Sequence, residues 1–282
     1  MAGEIPTTGY DVILIGCGKM GSALGKGLID AAVVDAGSLY CCDRDFDRAE
    51  TLAESTGATA VESADVFDQF ANLARRIFVV AVKPSDVQPL LERGRSSFSG
   101  TDTIVSIAAG VPTVLLEDWA GTEPALVRAM PNTPALIRKG ITGVLGKNGA
   151  DMEVVTSLFG GVGSVVELDD EDDFDALTAI SGSGPAYVFV AIEALADGGV
   201  AMGLDRDVAL ELAVETIAGS GALASVRGAH PGKLKDEVAS PGGTTITGLT
   251  ELERKGFRSA LIEAVRAAAE KSEEMRDSLL DD

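Results

Sequence analysis

Three glycines near the start of the sequence are spaced as in a tight turn between a strand and a helix. Gly16, Gly18 and Gly21 follow the apolar run 12–15 and precede a stretch of small residues, 22–28, at helical spacing. Glycines let the backbone bend sharply and approach a pyrophosphate at the N-terminus of the next helix. When such a motif lies between a predicted strand and a predicted helix, it is a specific indication of dinucleotide binding. It predicts dinucleotide contacts from Ile15, Gly16, Cys17, Gly18, Lys19, Met20 and Gly21.

Two charged residues at the predicted tip of the second strand bear on the choice of dinucleotide. Asp43 lies 22 residues after Gly21, where a carboxylate accepts hydrogen bonds from the 2′-hydroxyl of an adenine ribose and so favours NADH. Arg44 follows it, and a guanidinium there grips a 2′-phosphate, which favours NADPH. NADPH and NADH therefore both remain candidate cofactors.

Two later strand ends are expected to line the same crevice, because loops at the carboxyl edge of a parallel sheet surround the nicotinamide. Their small residues leave room for a flat ring. Lys83 is interpreted as part of the groove lining rather than as a catalytic amine, since Pro84 restricts it to an extended conformation. The predicted contacts in these loops are Ala81, Val82, Lys83, Pro84, Ile107, Ala108 and Ala109.

The hexapeptide 240–245, Ser-Pro-Gly-Gly-Thr-Thr, has the composition of an anion receptor. Successive glycine and threonine N–H groups can converge on a carboxylate, and a helix beginning near Thr245 adds its positive dipole end. A helix-capping turn explains the same residues equally well when they are taken alone. As a binding loop it would hold a small acid through Ser240, Gly242, Gly243, Thr244 and Thr245.

The other polar candidates are weaker. His230 is the only histidine and heads a Pro-Gly turn before a short helix, so a structural role is favoured over a catalytic one. Arg128 either attracts an acid or pairs with one of the many carboxylates, which is the commoner outcome. The three cysteines, two of them adjacent, have no second cluster at ligand spacing, so we expect no metal and a reducing compartment.

Alternating strand and helix patterns place these residues on a doubly wound parallel sheet over residues 9–168. The acidic run 169–173 marks a boundary, and an all-helical domain is predicted over 169–282. Strands are predicted at 12–15, 38–42, 77–82, 103–107, 125–130, 142–145 and 164–168. The predicted helices include 47–55, 186–196, 206–218 and 259–279.

The bulk composition narrows the range of partners. With 44 acidic against 23 basic residues the net charge is −21, which disfavours nucleic acid and anionic membranes and favours adaptation to a salty cytoplasm. Residues 1–8 lack the pattern of a targeting signal and no apolar run approaches a membrane span, so a cytoplasmic protein is expected. The C-terminal helices are apolar on more than one face, which predicts dimerisation through them.

Four segments resemble the pyrroline-5-carboxylate reductase family over nearly the whole chain: 127–134, 175–187, 230–236 and 240–245. The resemblance implies reduction of a cyclic imino acid to proline. It implies that Ser240 and the amides of Thr244 and Thr245 hold the substrate's carboxylate, and that the catalytic Thr245 hydroxyl hydrogen-bonds the ring nitrogen. It further implies interlocked homodimers, with larger rings of dimers in some members. Residues 43–45 depart from the Ser- or Asn-containing phosphate pocket of NADPH-using members, which leaves the cofactor preference open.

Two other functions remain as alternatives. One is a related imine reductase or β-hydroxyacid-type dehydrogenase. Such dehydrogenases usually carry a catalytic lysine on a helix of the second domain, and the long helices here have none before Lys255 and Lys271. The other is a non-catalytic nucleotide-binding protein, against which the intact glycine turn and the 240–245 loop both argue.

Overall fold

The computed structural model describes residues 9–62 and 66–281; the N-terminal residues 1–8, where we predicted no targeting signal, lie outside this range. The chain first builds one eight-stranded sheet. Its strands are β1 (Asp11–Ile15), β2 (Leu39–Cys42), β3 (Thr59–Val61), β4 (Arg76–Val80), β5 (Thr103–Ser106), β6 (Ala125–Pro131), β7 (Gly140–Lys147) and β8 (Gly163–Glu167). They lie in the order β3-β2-β1-β4-β5-β6-β7-β8.

Helices connect most of these strands. They are α1 (Lys19–Asp30), α2 (Phe46–Thr56), α3 (Pro84–Gly94), α4 (Thr113–Ala120) and α5 (Met152–Gly160), and the short α6 (Asp173–Leu177) follows the last strand. The end of α2 shows how local sequence sets these bounds, because Gly57 follows it with φ +72°, a conformation that glycine adopts without strain. The predicted doubly wound sheet is confirmed.

One strand pair departs from the predicted parallel arrangement. Strand β7 runs antiparallel to β6, with Leu126 opposite Lys147, while the other neighbouring pairs of the described sheet are parallel. Only residues 132–139 connect the two strands. A parallel return needs a crossover of a dozen or more residues, so this short connection brings the chain back antiparallel.

The sheet is covered on both faces, as its apolar strands require. In β1, Val12 and Leu14 enter one core, while Ile13 and Ile15 enter the other. The side chains alternate because successive residues of a strand point to opposite faces. Each fully buried aliphatic side chain contributes about 1.5–3 kcal/mol, so the two cores hold the crevice at the sheet's carboxyl edge in place.

The chain forms two compact units whose limits differ from the boundary predicted after residue 168. The first comprises the described residues up to Gly182 together with those from Ala268 onward, and the second is Ser183–Ala267. Phe174, in α6, is fully buried, and the carboxylate of Asp175 accepts hydrogen bonds from Ser272 and Arg276. These contacts fasten the residues after β8 and the end of the chain to the sheet unit.

The second unit is entirely helical over its described residues, as predicted. It contains α7 (Gly184–Ala201), α8 (Arg206–Arg227), α9 (Pro231–Glu237), α10 (Thr244–Arg254) and the first turns of α11 (Phe257–Asp281). Its buried apolar core consists of alanines, Ala196, Ala209 and Ala213. Large apolar side chains such as Phe189, Val190 and Leu212 are instead exposed. This unit cannot bury its apolar surface alone.

Two apolar segments correct one expectation from the sequence. Asp173–Ala201 and Arg206–Arg227 are long and apolar enough, by length and composition, to cross a membrane, and only 17% and 11% of an 18-residue apolar window in each is buried. The prediction that no apolar run approaches this length was wrong. Isolated acidic residues such as Glu193 and Asp197 interrupt the run, but the segments around them remain mostly apolar. An exposed apolar surface of this extent indicates a covering partner.

Candidate active site

The glycine turn after β1 is shaped by close backbone contacts. Gly16 has φ +106°, and a Cβ there would lie 2.6 Å from the carbonyl oxygen of Ala81. A Cβ at Gly21 would lie 1.9 Å from the carbonyl oxygen of Gly16. Both positions therefore exclude any side chain, and the turn packs directly against the end of β4.

Gly18 serves a different purpose. It caps the N-terminus of α1 with an extended backbone and no side-chain hydrogen bond, and a Cβ there would meet nothing within 4 Å. It also lines the cavity that opens at this edge of the sheet. The residue directly before the 12-residue α1 thus borders an open space, and the positive end of the helix dipole at this point suits a pyrophosphate.

The cavity has a volume of about 380 Å³. Its lining brings together eight of the predicted cofactor residues: Ile15, Gly16, Gly18, Asp43, Arg44, Ala81, Val82 and Lys83. The other predicted contacts do not line it: Cys17, Lys19, Met20, Gly21, Pro84, Ile107, Ala108 and Ala109. Cys17 is turned into the core at 5% exposure, and residues 107–109 follow β5, one strand beyond the cavity lining.

Six further lining residues were not predicted: Cys42, Arg48, Asp86, Pro89, Leu90 and Arg93. Arg48 lies four residues after Arg44, in the first turn of α2. The four lining residues that belong to α3 recur at intervals of three or four positions, so they lie on one face of that helix. This periodicity after Lys83-Pro84 was the available signal, and it is visible only when the start of α3 is known.

Asp43 is fixed by two backbone hydrogen bonds. Its Oδ2 accepts from the N–H of Cys17 at 2.7 Å, and its Oδ1 accepts from the N–H of Asp45 at 3.0 Å. The carboxylate therefore ties the tip of β2 to the glycine turn. Each oxygen keeps acceptor capacity, so a ribose hydroxyl can still be read by the same side chain.

Basic side chains outnumber acidic ones around the cavity. Arg44, Arg48, Lys83 and Arg93 line it, against Asp43 and Asp86. The Nη1 atom of Arg44 lies 4.0 Å from a carboxylate oxygen of Asp86. In a chain with a net charge of −21, this local excess of positive charge suits a ligand with several phosphates. The residues present fit a nicotinamide dinucleotide.

The preference between NADPH and NADH can be tested at the tip of β2. We expect Asp43→Ser to raise the ratio of kcat/KM with NADPH to kcat/KM with NADH by about tenfold, because the carboxylate that repels a 2′-phosphate is removed. Steady-state kinetics with each cofactor measure this ratio. Asp45→Ser, which removes a neighbouring exposed carboxylate outside the cavity lining, is the matched control. An unchanged ratio in Asp43→Ser would count against contact with the ribose.

Cys17, Cys41 and Cys42 are free and buried. A hydrogen bond between the Cys17 and Cys41 thiols raises the pKa of Cys17 and lowers that of Cys41. Burial, reinforced by the charge of Asp43, raises the pKa of Cys42 to about 11. Cys42, which lines the cavity, is thus an uncharged thiol at neutral pH and packs as a small apolar side chain.

Arg128 and Asn132 have structural partners within the first unit. Arg128 is 2% exposed, pairs through Nη1 with Glu171 and lies over the ring of Phe174. Asn132 donates to the carbonyl oxygen of Ser181 at 3.0 Å. Of the two roles considered for Arg128, pairing with a carboxylate is the one observed. A buried and paired guanidinium is not available to attract a substrate.

The 240–245 loop lies in the second unit and leads directly into α10. Gly242 has φ +66°, a conformation that favours glycine, and a Cβ at Gly243 would lie 2.2 Å from Ser240 Oγ, which would have to rotate away. Gly243 caps the helix with an extended backbone, and no side chain of the described residues caps it. The amides of Thr244 and Thr245, in the first turn of the 11-residue helix, are thus positioned to receive an anion.

His230 caps the short helix α9. Its Nδ1 accepts a hydrogen bond from the N–H of Gly232 at 3.1 Å. An exposed histidine with this local bond supports the structural role expected from the Pro-Gly turn that it precedes.

Two family models match the chain. Residues 171–275 match the one described as pyrroline-5-carboxylate reductase dimerisation. Residues 11–110 match the one described as NADP oxidoreductase, coenzyme F420-dependent. The first match covers the helices of the second unit with the 240–245 loop, and the second covers the glycine turn and the first five strands.

Individual proteins match over nearly the full length. The pyrroline-5-carboxylate reductase of Pisum sativum is 42% identical over 270 residues, which cover 94% of this chain and 96% of that protein. The structure of a pyrroline-5-carboxylate reductase from Coxiella burnetii has a TM-score of 0.89 at 31% identity, covering 95% of this chain and 99% of that one. The Plasmodium falciparum pyrroline carboxylate reductase with NADP bound has a TM-score of 0.81 at 32% identity, covering 96% and 100%.

Proposed function

Because this chain belongs to the pyrroline-5-carboxylate reductase family, we propose that it reduces 1-pyrroline-5-carboxylate to L-proline, the last step of proline biosynthesis, with NADPH or NADH. The observation that carries the proposal is the 42% identity to such a reductase across 94% of the chain. The two family models that match the chain include both the dinucleotide turn and the 240–245 loop. The two parts that the reaction needs are therefore present in one protein.

When bound, a nicotinamide dinucleotide would supply the hydride for the imine carbon, and the π electron pair of the C=N bond would become the lone pair of the ring nitrogen, which is already protonated. The protein's own part is to hold the dinucleotide. Gly16 and Gly21 shape the turn, Gly18 keeps the helix N-terminus open to the pyrophosphate, and the basic cavity lining balances the phosphate charge. No strong general acid is required, because a protonated imine is already an electrophile.

The substrate is held by the 240–245 loop in this proposal. Ser240 and the amides of Thr244 and Thr245 bind the carboxylate, and Gly242 and Gly243 permit the turn that presents them. The hydroxyl of Thr245 hydrogen-bonds the ring nitrogen and orients the C=N bond. The uncapped N-terminus of α10 supports this role, since its N–H groups and dipole favour an anion.

The second unit pairs with the same unit of another copy to form a homodimer, with larger rings of dimers as a further assembly. The exposed apolar surface of α7 and α8 supports this, as does the match of residues 171–275 to a dimerisation model. Covering the two apolar segments by a second copy accounts for them without a membrane. The protein is then cytoplasmic, and its acidic surface, which suits a salty cytoplasm, lies on the faces that remain exposed.

Two alternatives make different demands on the helices. A β-hydroxyacid-type dehydrogenase would need a catalytic lysine, and α7, α8 and α10 contain none. A related imine reductase would accept other cyclic imines, and a non-catalytic nucleotide-binding protein would not need the 240–245 loop. The substrate tests below separate these functions.

The proposal is tested by following the absorbance of NADPH and NADH separately as pyrroline-5-carboxylate is added, at several salt concentrations. We expect cofactor oxidation that depends on the imine, with proline formed in equal amount. Oxidation with other cyclic imines but not with pyrroline-5-carboxylate would identify a different imine reductase. Binding of the dinucleotide without turnover on any imine would favour the non-catalytic function.

A further inference from the structure

We propose that the segment after β8 and the last turns of α11 form a brace that positions the loop 107–112 against the nicotinamide. The brace is defined by Glu171, Asp175, Arg276 and Leu279. The inference rests on the proposed function in one respect, namely that this loop borders the nicotinamide. All of the contacts described below lie within the first compact unit.

One end of the loop is held by Glu171. Its Oε2 accepts a hydrogen bond from the hydroxyl of Thr113 at 2.6 Å and lies 3.3 Å from the Thr113 N–H. Its other oxygen, Oε1, pairs with the buried Arg128 in β6. A carboxylate from the acidic run 169–173 thus links the start of α4, where the loop ends, to the sheet.

A second carboxylate from the same region holds α11. Asp175 is 9% exposed; its Oδ1 accepts from Ser272 Oγ and its Oδ2 from Arg276 Nη1, each at 2.7 Å. Burial disfavours the charge of Arg276, but the carboxylates of Asp175, Asp172 and Asp277 outweigh it, so its pKa is raised. The guanidinium therefore stays charged, and the last turns of the helix remain fixed beside α6.

Leu279 in α11 lies close to the middle of the loop. Gly110 has φ +78°, and a Cβ there would lie 3.7 Å from Leu279 Cδ1. Leu279 packs on the core cluster that contains Ala108 and Val111. Its neighbour Leu280 is 47% exposed. Leu279 therefore packs beside the loop, whereas the neighbouring side chain of Leu280 does not.

These contacts restrain the loop from two sides. Hydride transfer requires the reacting atoms to be held at near-attack distance, and a displacement of about 1 Å costs up to 100-fold in rate. A loop that borders the nicotinamide therefore affects turnover through its position, even where it contributes no reacting group. Leu279 and Arg276 are positioning residues on this account.

The test compares Leu279→Ala with Leu280→Ala. In the protein without cofactor, we expect Leu279→Ala to speed amide hydrogen exchange in residues 107–113, with exchange in β1 unchanged. We also expect kcat to fall about tenfold, the dissociation constant of NADPH to change less than kcat, and Leu279→Met to restore both exchange and kcat. Leu280→Ala should behave as the unsubstituted protein.

The brace is refuted if loop exchange in Leu279→Ala matches that of the unsubstituted protein, or if Leu280→Ala produces the same change. Amide hydrogen exchange measures how readily the loop opens, and it does not require the protein to be catalytically active. A lack of reductase activity in the unsubstituted protein would therefore count against the proposed function, while the exchange comparison would still decide whether the brace exists.

Discussion

Gly18→Val is expected to abolish tight cofactor binding while leaving the protein folded. The backbone of Gly18 is extended, with φ −69°, so an L-residue is tolerated there, and its Cβ would meet no atom within 4 Å. The same open space belongs to the cavity at the N-terminus of α1. A branched side chain would occupy the place of the pyrophosphate. We expect the dissociation constant of NADPH to rise by about 100-fold, roughly 3 kcal/mol.

Fluorescence titration with NADPH measures this loss, and thermal unfolding verifies the fold. Gly37→Val is the matched control, because Gly37 also has open space around it and lies outside the cavity lining. Gly21→Ala should behave differently and destabilise the turn, since its Cβ would lie 1.9 Å from a carbonyl oxygen. Normal NADPH affinity in Gly18→Val would mean that the dinucleotide does not cross this turn.

Thr245→Ala is expected to lower kcat by about 100-fold while cofactor affinity stays nearly unchanged. The proposed hydroxyl contact orients the ring nitrogen, and loss of one well-placed hydrogen bond in the transition state has an effect of this order. Thr245 is half-buried in the first turn of α10. The backbone amide remains in the variant, so carboxylate binding should weaken less than turnover.

Kinetics with varied imine and a separate NADPH titration distinguish these effects. Thr250→Ala provides the control on the same helix, because the Thr250 hydroxyl donates to the carbonyl oxygen of Ile246 at 2.9 Å and stays within α10. Turnover as high in Thr245→Ala as in Thr250→Ala would remove the assigned role from that hydroxyl.

Much of the sheet unit could be predicted because its signals are local. The apolar run before Gly16 and the small residues after Gly21 predict β1, the turn and α1 without distant contacts. Strand β3, at Thr59–Val61, was missed because three half-exposed or exposed residues carry no usable periodicity. The reversal of β7 was missed for a related reason, since direction depends on the length of the connection rather than on the strand's own residues.

The site was predicted less completely, because part of it depends on contacts between distant segments. Arg93 lines the cavity only because α3 turns that face toward the tip of β2. Glu171 belongs to the acidic run that we interpreted as a domain boundary, yet it pairs with buried Arg128. The spacing of the acidic run does not show which carboxylate has a partner. The glycine turn, by contrast, is recognised from its own spacing.

The most direct test of the proposed mode of catalysis is a structure of the protein, in the assembly that it forms in solution, with NADP⁺ and proline bound. We predict that the proline carboxylate lies within hydrogen-bonding distance of the Thr244 and Thr245 amides, with its nitrogen near the Thr245 hydroxyl. The ring carbon that received the hydride should face the nicotinamide at about 3–3.5 Å. Proline bound elsewhere, with residues 240–245 far from the dinucleotide, would contradict the proposed mode of catalysis.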